Sequence, residues 1–106
     1  MSGWTDRSWN SADGLRLHYR DYAGPAERPP ILCLPGLTRN ARDYEGVAER
    51  FAGDWRVIAV DLRGRGLSEY DSQPARYALP FYVADVVKLI DQLGEEDETR
   101  AAATKK

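Results

Sequence analysis

Four places in this sequence carry groups that could do chemistry: the single histidine, the single cysteine, a Pro-Gly pair and a Gly-rich loop. The loop reads Asp61-Leu62-Arg63-Gly64-Arg65-Gly66-Leu67-Ser68. Gly64 and Gly66 can supply unusual backbone angles there. Asp61, Arg63 and Ser68 can tie such a loop together through charge-assisted and neutral hydrogen bonds, an architectural role rather than a chemical one. Arg63 and Arg65 could instead meet a phosphate. A dinucleotide loop, however, wants Gly-x-Gly-x-x-Gly after the first strand, and the third glycine position here is Glu69. Cys33 lies in the apolar run Ile31-Leu32-Cys33-Leu34 and reads as a small buried hydrophobe. His18 falls on the polar side of an alternating segment and reads as an exposed strand residue. One histidine and one cysteine cannot close a zinc site, so no metal is expected.

The elements that must position these groups follow from the hydrophobic pattern. Trp4 to Asn10 can form a short strand, and Asp13-Gly14 marks a hairpin turn. From Leu15 to Tyr22 the chain alternates, with Leu15, Leu17 and Tyr19 on one face and Arg16, His18 and Arg20 on the other, as in a half-buried strand. The prolines between Gly24 and Pro30 make a loop. Ile31 to Leu34 and Arg56 to Val60 are short continuous apolar runs, suited to strands buried on both faces. Between them Tyr44, Val47, Ala48 and Phe51 repeat at helical spacing, with Asn40 and Asp43 at the spacing of a capping box and Gly53 at the end. Strand, helix and strand in this span predict a parallel βαβ unit. A second helix has Pro80 in its first turn, a stripe of Leu79, Val83, Val86, Val87, Ile90 and Leu93, and Gly94 as its stop. The expected fold class is therefore α/β: an antiparallel N-terminal hairpin, a parallel βαβ unit and a following helix.

In this order the motifs resemble those of the α/β-hydrolase fold family. Leu34-Pro35-Gly36-Leu37-Thr38 resembles the loop after the family's third strand, where His-Gly-x is commoner. Asp61-Leu62-Arg63-Gly64-Arg65-Gly66-Leu67-Ser68 resembles the Asp-x-Arg-Gly-x-Gly-x-Ser loop after its fourth strand. The resemblance covers roughly residues 4 to 94 and implies a partial α/β-hydrolase sheet. It also implies a mechanism in which a nucleophile attacks an acyl carbon or related centre and two backbone N–H groups hold the oxyanion. Leu37 would offer one of those N–H groups, and Pro35-Gly36 would let the loop approach a substrate. The Asp61 loop, with Arg63, Gly64, Gly66 and Ser68, would be its neighbour. The family's nucleophile sits in a Gly-x-Ser-x-Gly elbow after the second helix. The nearest string here, Gly66-Leu67-Ser68-Glu69-Tyr70, ends in tyrosine and already belongs to the Asp61 loop. His18 lies far upstream of the family's catalytic base. No catalytic residue is therefore assigned, and no cofactor is implied.

Composition narrows the alternatives. The 106 residues are 42% hydrophobic and 30% charged with a formal net charge of -2, the profile of a soluble globular chain with no basic face for nucleic acid or anionic membrane. No apolar run is long enough to cross a bilayer and the start lacks a secretory signal, so the expected location is cytoplasmic. After Gly94 the character changes to Glu95-Glu96-Asp97-Glu98 and an alanine-rich end. The expected division is a partial hydrolase domain over 1–94 and a charged tail over 95–106, disordered or frayed helix. Two functions compete. One is the N-terminal portion of a hydrolase acting on an ester or related small substrate, inactive alone. The other is an interaction module that dimerises or complements another chain through an exposed sheet edge.

Overall fold

The computed structural model describes residues 3–34 and 41–104. Strands β1 (Trp4–Asn10) and β2 (Arg16–Tyr22) form the expected antiparallel hairpin, in register from Trp4 opposite Tyr22 to Asn10 opposite Arg16. Gly14 closes its turn at φ +92°, a left-handed conformation that a side chain would strain. Strand β3 (Ile31–Cys33) runs parallel to β4 (Val57–Val60), and the crossover between them carries helix α1 (Glu45–Phe51). β4 rather than β3 lies beside the hairpin, antiparallel to β2, so the sheet is mixed and ordered β1-β2-β4-β3. Helix α2 (Leu79–Thr104) follows the Gly-rich loop.

The sheet is covered on both faces, and β4 shows why its apolar run is unbroken. Ile58 and Val60 point to one side, into a core with Trp9, Leu17, Tyr19, Leu62 and the buried face of α2. Val57 and Ala59 point to the other, against Tyr22, Cys33, Ala41 and Ala48 beside α1. All four residues of β4 are buried, as a central strand requires. Cys33 is buried as a free thiol, as its neighbours predict, and burial pushes its pKa up.

Both helices depart from the sequence pattern. The crossover begins as a 3-10 turn, Ala41–Tyr44, and α1 starts at Glu45 with no side-chain cap. Asn40 of the expected capping box lies outside the described residues. In α2 the expected stripe is mostly the wrong face: Leu79, Val83, Val87 and Ile90 are exposed, while Tyr82, Asp85, Leu89 and Leu93 are buried. The helix is apolar over a wide arc, and the sheet selects the face whose polar atoms it can satisfy. The Trp9 indole N–H donates to the Asp85 carbonyl at 2.8 Å, and the Asp85 carboxylate meets Arg63. Gly94 does not end α2. Glutamate and alanine beyond it are strong helix formers, and Gln92 Nε2 donates across the glycine to Glu96 Oε1 at 3.4 Å. Glu96 also lies 3.9 Å from the buried Arg56 guanidinium, which holds the helix to the sheet past that point.

Candidate functional site

Beyond β4 the chain keeps its pairing to β2. Asp61 N–H donates to the His18 carbonyl and Glu69 N–H to that of Arg16, each at 2.9 Å. The intervening residues fold back as a loop whose hub is the Asp61 carboxylate. Its Oδ1 accepts from Ala41 N–H at 2.7 Å, and its Oδ2 from Leu67 N–H at 3.1 Å. Gly66 is required here: a Cβ would stand 2.3 Å from the Asp61 carboxylate, and its φ is +51°. Ser68 Oγ donates to the Asp61 carbonyl at 2.6 Å and accepts from His18 N–H at 2.8 Å, so its hydroxyl is fully engaged.

The expectation that His18 is exposed is overturned. The side chain is buried on β2, with Nδ1 2.6 Å from Asp61 Oδ2 and Nε2 2.8 Å from Asp6 Oδ1. Carboxylates only accept, so both contacts are hydrogen bonds together only when the ring is an imidazolium. Burial opposes that charge, but the bonds to Asp61 and Asp6 outweigh it and raise the His18 pKa above its ordinary value. Burial likewise pushes the Asp61 pKa up, and His18 with the Ala41 and Leu67 amides pulls it below the carboxylate norm. The Asp6 pKa is lowered chiefly by its bond to His18. A cleft of about 340 Å³ opens over this cluster, with Trp4, Arg20 and Arg42 on its walls.

Arg63 points the other way, into the body of the protein, and is 1% exposed. Its Nε and Nη2 hold Asp85 at 2.8 and 2.6 Å, Nη1 and Nη2 hold Asp13 at 3.0 and 3.1 Å, and Nη1 reaches Asp71 at 2.9 Å. All five N–H donors are used. The bonds from Arg63 and Ser11 draw the Asp13 pKa down to about 2. Gly64, at φ +73°, leaves room for the Tyr77 ring, whose hydroxyl bonds to both the N–H and the carbonyl of Asp71.

The structure thus brings Asp61, Gly66 and Ser68 together around His18 and sends Arg63 and Gly64 to a second, interior network. Pro35, Gly36 and Leu37 lie outside the described residues. The residues flanking them are anchored: Asp61 takes the Ala41 N–H, and the Tyr44 hydroxyl donates to the Leu34 carbonyl at 2.5 Å. Asp85 escaped the sequence reading, His18 was expected to be exposed, and Tyr44 was expected only as part of the helical repeat. A signal existed for Asp85, a lone acid at helical spacing from Tyr82 and Leu89. Among the described residues no three His, Cys, Asp or Glu side chains are grouped to hold a metal, and no helix is long and apolar enough to cross a membrane.

Residues 29–97 match the family model of the alpha/beta hydrolase fold. The chain belongs to that family. A solved α/β-hydrolase from Novosphingobium aromaticivorans is 54% identical and superposes with a TM-score of 0.87, over 89% of this chain and 33% of its own. The 3-hydroxybutyrate-oligomer hydrolase of Cupriavidus necator is 41% identical over 81 residues, 76% of this chain and 28% of that protein. Mouse epoxide hydrolase 4 is 35% identical over 81 residues, 76% of this chain and 22% of that protein. The chain therefore spans at most about a third of the length of these hydrolases.

Proposed function

We propose that this chain is the N-terminal framework of an α/β-hydrolase acting on an ester or related small substrate, and that it turns over none by itself. The observation that carries the reading is the family match over residues 29–97, with hydrolases among its relatives. In this reading the segment held between the Tyr44 and Asp61 contacts presents Leu37 N–H to the oxyanion, with Pro35 and Gly36 allowing the approach. The Asp61 loop fixes one end of that segment and takes no part in bond making.

Inactivity of the isolated chain is supported by what its reactive groups already do. His18 is bonded at both ring nitrogens and offers no free lone pair as a base. The Ser68 hydroxyl is buried and committed to backbone. Burial disfavours the Cys33 thiolate. No cofactor enters this reading. The test is hydrolysis of 4-nitrophenyl butyrate and of a 3-hydroxybutyrate trimer by purified chain. The expected rate equals that of buffer. Turnover lost in Ser68→Ala, Cys33→Ser or His18→Asn would overturn the proposal.

A further inference from the structure

We propose that the cleft over His18 binds a small carboxylate with an apolar tail, its head on the Arg20 guanidinium. The cleft holds about 340 Å³ between the hairpin, the 3-10 turn and the Asp61 loop. Three other arginines spend their charge inside the chain: Arg7 and Arg56 share the buried Asp21, and Arg63 holds Asp71 and Asp85. Arg20 does not. Among the described residues it makes no ion pair, and its Nη1 donates only a long bond, 3.4 Å, to the Tyr22 hydroxyl. Most of the five N–H groups of the fork are left to an outside acceptor. The fork is nevertheless held in place. It is half-buried, with Cζ 3.9 Å from the centre of the Trp4 ring, which is itself tilted against Tyr22.

The two acids lining the cleft are engaged elsewhere. Asp61 takes the Ala41 and Leu67 amides and His18 Nδ1. Asp6 Oδ1 accepts from the Trp4 indole N–H at 3.2 Å and meets His18 Nε2. Three cationic side chains, Arg20, Arg42 and the doubly bonded His18, thus stand around the cleft against the two acids Asp6 and Asp61. That leaves one positive charge, which a monoanion neutralises and a phosphate dianion overshoots. A planar carboxylate also matches the edge of a guanidinium, two oxygens to two N–H groups. Trp4 and Leu67, the latter 71% exposed, supply apolar surface for a short tail beside that head.

The test is a titration of the isotope-labelled chain with sodium butyrate at constant ionic strength. Two-dimensional NMR follows the Trp4 indole N–H and the Arg20 and Leu67 amides. Saturable shifts confined to the cleft are expected, absent with the neutral isostere butyramide and weaker with inorganic phosphate. Arg20→Gln should weaken butyrate binding by about tenfold, the worth of one charge-assisted hydrogen bond. Arg28→Gln removes a second arginine stacked on a tryptophan, 4.9 Å from the centre of Trp55, and should leave the affinity unchanged. If Arg20→Gln does not fold, Arg42→Gln, at an exposed position of the same cleft, makes the same test. Shifts that rise linearly without saturating, shifts reproduced by butyramide, tighter binding of phosphate than of butyrate, or an affinity indifferent to the cleft variants would each overturn the proposal.

Discussion

The Arg63 guanidinium gathers carboxylates from three stretches of chain: the β1–β2 turn, the loop after β4, and α2. Its removal would strand the buried Asp71 and Asp85. Arg63→Met should therefore lower unfolding stability by about 3–5 kcal/mol, the usual cost of breaking a buried ion pair from one side. Urea denaturation reads this directly, and a loss below about 1 kcal/mol would mean that water reaches the carboxylates. His18 supplies a pH dependence of definite sign. Its folded pKa is raised, so its contribution is whole below the unfolded value of about 6.5 and is lost as pH rises through the folded value. The lowered pKa of Asp61 acts oppositely, contributing above about 3.8 and failing as pH falls through the folded value. The clamp is strongest between those two limits. Urea midpoints should fall from pH 6 to pH 9 in the wild type, and the fall should shrink in His18→Asn. Equal slopes in both proteins would show that the ring is not the titrating group.

At the scale of elements, the strands were more legible than the helices. Alternation and short apolar runs mark β2, β3 and β4 because burial on one or both faces is set within each strand. The buried face of α2 was not legible, since Leu79–Leu93 carries two overlapping apolar stripes. The choice between them is made by Arg63 and Trp9, far away in sequence. His18 was misplaced for the same reason: a polar residue is buried only if partners exist, and Asp61 lies 43 positions away. The Asp61 loop could be recognised as a unit, but not which side chain would bind which. Gly94, expected to stop α2, sits within it, and a Cβ there meets nothing within 4 Å. Gly94→Ala should stabilise the chain by up to about 1 kcal/mol and raise helicity by circular dichroism. A lower melting temperature would show that the helix breaks at this glycine in solution.

For the molecule as a whole, the asymmetry of its surface matters most. One sheet edge is polar and the other is flanked by apolar clefts. The isolated chain should bind the hydrophobic dye ANS while folded. Val83→Asp with Val87→Asp should reduce that binding yet change stability by no more than about 0.5 kcal/mol, as surface substitutions do. A large loss of stability instead would mean that the stripe is core in solution. The strand order also imposes a timetable on synthesis. β1 and β2 leave the ribosome first and can pair at once, but Trp9, Leu17 and Tyr19 await a cover drawn from β4 and from α2 as far as Leu93. At about 5–20 residues per second that wait lasts several seconds. During that interval the nascent hairpin is a client for chaperones, and a ribosome stalled before Leu93 would display the stickiest form this chain ever takes.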